Sequence, residues 1–406
     1  MTTDALAGDR RAGELLAALA RPEGRADPYP LYDQLRALGP AVVTPNGSLV
    51  VTGYRECSAL LRDHRLRKTP ERMLAAAGYP HWRDRPSLRL MFTSIVALDP
   101  PAHTRLRRLI TAAFTARRVQ GLRPAVERIA AQACEQVAGQ NDFVACFAFP
   151  MPVTVIGELL GIPVADRPMF QDLVRDWTAV LEVLTPLVVD RADAAASAIG
   201  SYLADLAAHR RVHPADDLIS ALAAAAEAGD KLTPEELVTM AALLLAAGFE
   251  TTTGLLANGL AALLAHPGQA RRLRTDAALA APAVEELLRY DSPVQLATRS
   301  APAGLDVAGL TTCDGQWVVA LLGAANRDPE AFSEPGRLIL DRAGEPPLSF
   351  GGGIHYCLGA PLARLEAQIA FPALLSRFPR LALTGEPAYR DGLTLHGPAS
   401  LPVSAR

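Results

Sequence analysis

The sequence predicts a mainly α-helical fold with small peripheral β-sheets, and three observations carry that reading. From about Glu56 to Ala280 apolar residues recur at helical spacing, punctuated by prolines rather than by β-rich runs. One such pattern, from about Thr233 to His266, would exceed roughly 45 Å at the rise of an α-helix. Strand-like runs are short and lie toward the two ends of the chain.

In chain order, Ala41–Thr44 and Ser48–Thr52 are joined by Pro45, Asn46 and Gly47, a hairpin signature. The long helix opens on Thr233, Pro234, Glu235 and Glu236. These form a capping box with proline at the first helical position and acids complementing the dipole. Pro267 and Gly268 end it. It is apolar nearly all round, so most of its sides should be buried. Short strands are expected near Val294–Arg299, Asp306–Val307, Trp317–Leu321 and Leu393–Leu395. Pro329, Pro335, Pro346 and Pro347 mark an irregular stretch between them. No repeat or composition shift divides the chain, so residues 1–406 are expected to form a single catalytic unit.

Bulk properties exclude several classes. Lys plus Arg number 40 against 43 Asp plus Glu, a balance that argues against nucleic acid as a partner. The five cysteines, Cys57, Cys134, Cys146, Cys313 and Cys357, are scattered and odd in number, with no CxxC pair. That argues against a disulfide framework or zinc site and suits a reducing cytosol. The N-terminus carries Asp4 and no apolar core of a signal peptide. The longest apolar run, Met240–Phe249, is short for a bilayer. A cytoplasmic protein without a membrane anchor is therefore expected.

The most informative segment runs from Phe350 to Pro361. It sets Cys357 among Gly351, Gly352, Gly353 and Gly359, with a helical pattern directly after it. Glycines let backbone N–H groups approach the sulfur, and the helix start adds a positive dipole end. Both favour thiolate. A buried thiolate suits heme iron, because it pushes electron density onto the metal. A cysteine that merely fills space is the plain alternative. A second unusual segment, Ala247, Gly248, Phe249, Glu250, Thr251 and Thr252, puts an acid and hydroxyls inside the apolar helix. There an unpaired carboxylate is costly. Further on, Glu286 and Arg289 share a helix face.

These three segments, in this order, resemble the cytochrome P-450 family in its soluble bacterial form. The likeness runs from Asp27 onward and includes Ala325–Pro329. Phe249 and Gly352 depart from the histidines frequent at those places. The resemblance implies a long central helix crossing the heme, and heme b (iron protoporphyrin IX) with Cys357 as its metal ligand. Phe350, Gly351, Gly359 and Ala247 would lie against the cofactor. His103, Arg107, Arg299 and His355 would hold its propionates. Thr251 and Glu250 would be catalytic, passing protons toward the site of O2 reduction. Glu286 and Arg289 would form a structural group completed by Arg337.

By the same resemblance, the reaction is O2- and two-electron-dependent hydroxylation or epoxidation of a mainly apolar small molecule. Secondary metabolites such as a polyketide or macrolide fit. A peroxide-driven, ring-forming or C–C coupling enzyme, and a non-catalytic heme sensor, are the rival readings. Candidate pocket residues are Met91, Phe92, Thr239, Leu243, Ala246, Val294, Leu296, Leu393 and Thr394, mostly apolar or small. No dinucleotide-binding glycine pattern follows a strand. A ferredoxin-type donor with its reductase is therefore expected, steered by Arg105, Arg108, Arg117 and Arg118 to a monomeric protein.

Overall fold

The structure, a computed structural model, describes residues 3–227 and 230–405. Its axis is the central helix Pro234–Ala265. The capping box forms as the sequence demands. The Thr233 hydroxyl accepts the Glu236 N–H at 3.2 Å, and the Glu236 carboxylate accepts the Thr233 N–H at 2.9 Å. Helices Pro150–Leu160, Pro186–Val212, Ala280–Tyr290 and Ala360–Arg377 pack around it and bury almost every face. Gly248 and Gly259 permit close approaches: a Cβ would lie 2.9 Å from Ile156 Cδ1 at the first and 2.4 Å from Phe371 Cζ at the second. At 32 residues this helix is long and apolar enough to cross a bilayer, although its unbroken apolar run is short. It is mostly buried inside protein, as a core helix is.

A four-stranded sheet lies beside the helices. Its strands are ordered Ala41–Val43, Leu49–Val51, Gln316–Leu321 and Leu296–Ala301. The first pair is the expected hairpin, with Ala41 opposite Val51 and Gly47 at φ 81° in the turn. Leu49–Val51 runs parallel to Gln316–Leu321, which pairs antiparallel with Leu296–Ala301. That last strand carries Arg299 to the interior.

Leu393–Leu395 is not a strand. Only one bridge forms, Leu395 with Val294. The physical reason is a competing acceptor. The Glu182 carboxylate takes the N–H groups of Leu393, Thr394 and Leu395 at 2.9, 3.1 and 2.8 Å. No donor is left for a ladder.

The irregular stretch before the cysteine segment is held by a buried polar network. Asn326 bonds to Ser292 Oγ, Ser349 Oγ and the Leu348 N–H. Arg289 donates to Glu286 through Nε at 2.7 Å and Nη2 at 2.9 Å, and to the carbonyls of Asn326, Pro335 and Arg337. The third member is Arg342, not Arg337. Arg342 Nε lies 3.0 Å from Glu286 Oε2, with its side chain 8% exposed. Arg337 is 67% exposed and pairs with Glu334, its neighbour three residues back. It contributes only its backbone carbonyl, because the turn at Glu334 directs its side chain to solvent.

Candidate heme site

Cys357 sits between two short 3-10 turns, Leu348–Phe350 and Gly353–His355, and helix Ala360–Arg377. Its N–H donates to the Phe350 carbonyl at 2.9 Å, closing the loop on itself. Gly353 must be glycine. Its φ is 63°, and a Cβ would lie 2.5 Å from the Leu61 carbonyl oxygen. Arg364 braces the segment. It pairs with Glu285, donates to Tyr356 Oη at 3.0 Å, and stacks 4.6 Å above the Phe350 ring. Burial pushes the Cys357 thiol up. The N–H groups of Gly359 and Ala360, with Arg107 and Arg364, act in the opposite direction but do not overcome it. The loop and the helix start thus favour thiolate as expected, against the larger effect of burial. A coordinated cation is the strong further term that would deprotonate the sulfur.

Four basic residues named from sequence converge, and a fifth joins them. His103 and Arg107 come from helix Ala102–Ala113, Arg299 from its strand and His355 from the cysteine segment. The two imidazoles lie 4.4 Å apart between centroids. Both nitrogens of His103 lack partners although the residue is 2% exposed. Lys68 is the fifth. Among the described residues, no ion pair joins any of the five to a carboxylate. Burial, then Lys68, Arg299 and the other cations, drives His355 down to about 2. Burial and Arg299 lower Lys68 to about 7, against the pull of Asp99. Burial likewise lowers His103, Arg107 and Arg299. Clustered, desolvated Lys68, Arg107 and Arg299, beside unpartnered imidazole nitrogens, need an anion. The two propionates of heme b meet that need, so the residues present fit the cofactor.

On the central helix, Ala247 is exposed and Thr251, one turn on, is half-buried, whereas Thr252 and Thr253 are buried. This side of an otherwise packed helix fronts open space, and Thr251 is the hydroxyl on it. The helix is unbroken there. Thr251 Oγ1 donates to the Ala247 carbonyl at 2.9 Å. Glu250 is buried and ion-paired through Oε2 with Arg390. Its Oε1 is buried without a partner.

The proposed pocket residues separate. Val294, Leu296 and Thr394 are half-buried and Leu393 is exposed. Met91 and Phe92 are packed into the core. The Met91 carbonyl accepts Ser94 Oγ, and Phe92 packs edge-on against Trp82. Leu243 and Ala246 are buried as well. Thr239 lines a groove of about 470 Å³ with Arg89, Leu90 and Gly200. At helical rise it lies about 18 Å from Thr251, too far to share a wall with it. Lys68, Arg342, Arg364 and Arg390 escaped sequence reasoning because each partner is far away in the chain.

The cytochrome P450 family model matches residues 162–387. The monooxygenase PikC of Streptomyces venezuelae is 42% identical over 94% of this chain and 92% of its own. The 6-deoxyerythronolide B hydroxylase of Saccharopolyspora erythraea is 38% identical over 93% and 96%. Among solved structures, P450BioI in complex with a fatty-acid-ligated acyl carrier protein superposes with TM-score 0.87 at 35% identity. It covers 94% of this chain and 99% of that one. The polyketide synthase cytochrome P450 PksS of Bacillus subtilis gives 0.85 at 36%, over 95% and 98%. A cysteine loop braced by Arg364, a cation cluster shaped for two carboxylates, and relatives matching from end to end agree: this chain belongs to the cytochrome P450 family and is a heme b-dependent monooxygenase.

Proposed function

We propose that the protein oxidises a mainly apolar secondary metabolite of the polyketide or macrolide kind. It would use O2 and two electrons from a ferredoxin-type donor with its reductase. The observation that carries this reading is the open side of the central helix. There Thr251 faces free space with the buried Glu250–Arg390 pair beside it. An acid and an alcohol in that setting serve delivery of solvent protons, which O2 reduction consumes and peroxide use does not. The names of several relatives point to the same substrate class.

Heme, when bound, supplies the redox chemistry and the site of O2 activation. The chain's residues do the rest. Cys357 would hold the iron, and the cations around His103 and His355 would hold the carboxylate edge. Thr251 can exchange its bond to Ala247 for one into the cavity, moving a proton at Oγ1. Glu250, with one oxygen held by Arg390 and the other free, is placed to replenish it. Val294 and Leu296 offer apolar wall and few polar anchors, which suits a neutral, mostly hydrocarbon ligand.

Donor docking is assigned to the face beside Cys357, where Ile354 is 48% and Tyr356 39% exposed. Arg105, Arg108 and Arg118 pair with Glu236, Asp230 and Asp216, so the steering field is weaker than the arginine count implies. Raising ionic strength should slow the first electron transfer modestly.

The test is turnover of a macrolactone panel, chosen by spectral titration, with donor plus O2 against peroxide alone. Thr251→Ala and Glu250→Gln should each cut donor-driven product about 10²-fold or more while sparing the peroxide reaction. Equal losses in both, or none in either, overturn the reading.

A further inference from the structure

We propose that the groove containing Thr239 is a second ligand site, built for a carboxylate on an apolar chain that also carries a hydroxyl or carbonyl. The site lies apart from the heme site and does not depend on the substrate oxidised there.

Three helices make the groove. Helix Pro186–Val212 is one wall, Pro86 and Leu90 of helix Pro86–Phe92 are the other, and the first turns of the central helix are the floor. Its volume of about 470 Å³ is that of a small-molecule site. Along the first wall Ala196, Gly200 and Ala204 recur every four residues and so share one helix face. Their size keeps the groove open: a Cβ at Gly200 would meet nothing within 4 Å. From Ala196 to Arg211 this wall extends about 22 Å at helical rise, a length that suits an extended chain rather than a compact ring.

Two polar groups in the groove lack partners. Thr239 is 4% exposed, and among the described residues its hydroxyl has no hydrogen-bond partner. Thr154, Thr178 and Thr251 each donate back to the carbonyl one turn earlier. Thr239 does not, which leaves its hydroxyl to the groove. A buried hydroxyl without a partner is costly, and a ligand oxygen removes that cost. Arg211, at the end of the wall, likewise has no acid or carbonyl partner among the described residues. The other charges lining the groove are Arg89 and Glu235, which face each other at 4.0 Å and balance. Arg211 therefore leaves one net positive charge at the end of an apolar track. That matches a monoanion, and the guanidinium fork matches a carboxylate.

The experiment is isothermal titration calorimetry of holoprotein saturated with 4-phenylimidazole, which occupies the iron and reports its own displacement through the Soret band. The probes are hexadecanoate, a series of hydroxyhexadecanoates differing in hydroxyl position, and their methyl esters, all kept below aggregation. The parent should bind one equivalent of a hydroxy acid with the Soret band unmoved. Gly200→Phe has room to enter the groove and should weaken that binding about tenfold or more, with Gly200→Leu in its place if it fails to fold. Arg211→Gln should weaken it about tenfold, and the methyl ester should lose a similar factor. Thr239→Val should bind the hydroxy acid and hexadecanoate alike. Uptake only with displacement of the azole, or no uptake, overturns the proposal. So does parent-like binding in Gly200→Phe or Arg211→Gln, an ester bound as tightly as its acid, or a hydroxyl preference that survives Thr239→Val. No turnover enters these titrations, so failure of the substrate reading leaves them unchanged.

Discussion

Removing the side chain of Arg342 should destabilise the protein by about 3 kcal/mol, and removing that of Arg337 by less than about 1. Glu286 is almost fully buried, with 2% of its side chain exposed. Its charge is met by Arg289 at 2.7 and 2.9 Å, Arg342 at 3.0 and 3.2 Å, and the Ile339 N–H at 2.8 Å. Breaking a buried pair typically costs roughly 3–5 kcal/mol, because one charge is left uncompensated. Arg289 persists in Arg342→Ala, so the lower end applies, about a 150-fold change in the folding equilibrium. Arg342 also donates to the carbonyls of Glu334 and Arg337, and the segment these bonds fold leads into the cysteine loop. Heme retention should therefore fall as well. Arg337→Ala loses only an exposed pair with Glu334 and keeps the carbonyl that Arg289 and Arg342 use. Urea unfolding of both variants by far-ultraviolet circular dichroism, at fixed heme loading, gives the comparison. An Arg337→Ala loss equal to that of Arg342→Ala would refute the assignment.

Other outcomes follow from the same contacts. Gly353→Ala should reduce stability by about 1–3 kcal/mol and loosen heme, because its φ of 63° and the Leu61 carbonyl leave no room for a Cβ; denaturant midpoints and carbon monoxide spectra read both. Glu182→Ala frees three N–H groups, so hydrogen exchange at residues 393–395 should accelerate at least tenfold, with the core unaffected. Burial alone would raise Asp291, but His396, Tyr29 and Arg327 outweigh it and hold it low. A depressed carboxylate stabilises the fold above its unfolded value near ~3.9 and loses that contribution as pH falls through the folded value. Tyr29→Phe removes a 2.7 Å bond to Asp291, so it should narrow the pH range of stability from the acid side, read by urea midpoints from pH 7 down to 3.

Local spacing carries far in this sequence, and long-range pairing does not. The Asn46-Gly47 hairpin, the Thr233–Glu236 capping box and the Glu286–Arg289 pair are all decided within four residues. The cysteine segment was legible for a similar reason: glycine placement there answers to one crowded turn. Arg342 and Arg337 lie in a stretch with no periodicity. Nothing in the chain itself says which of two arginines turns inward, and only the partner 56 residues away decides. Met91 and Phe92 are packed into the core, because apolar character reports burial but not the side on which a cavity lies.

The segment from Arg390 to His396 shows what such long-range pairing achieves. Within seven residues it answers three acids on three separate elements. Arg390 meets Glu250 of the central helix, and the N–H groups of 393–395 meet Glu182 between two helices. His396 meets Asp291 at the end of Ala280–Tyr290. Each acid would be a burden if left alone in its setting. Together they fix a chain too short of ladder bonds to hold itself. Leu393–Leu395 reads as a strand in sequence because an apolar residue stands on each side of Thr394. It is not one because its donors are already spent on Glu182. The same backbone carries Leu393 and Thr394, candidate substrate wall, and Arg390, which sets the carboxylate of Glu250. The shape presented to a ligand and the setting of the acid beside Thr251 are therefore properties of one short strap.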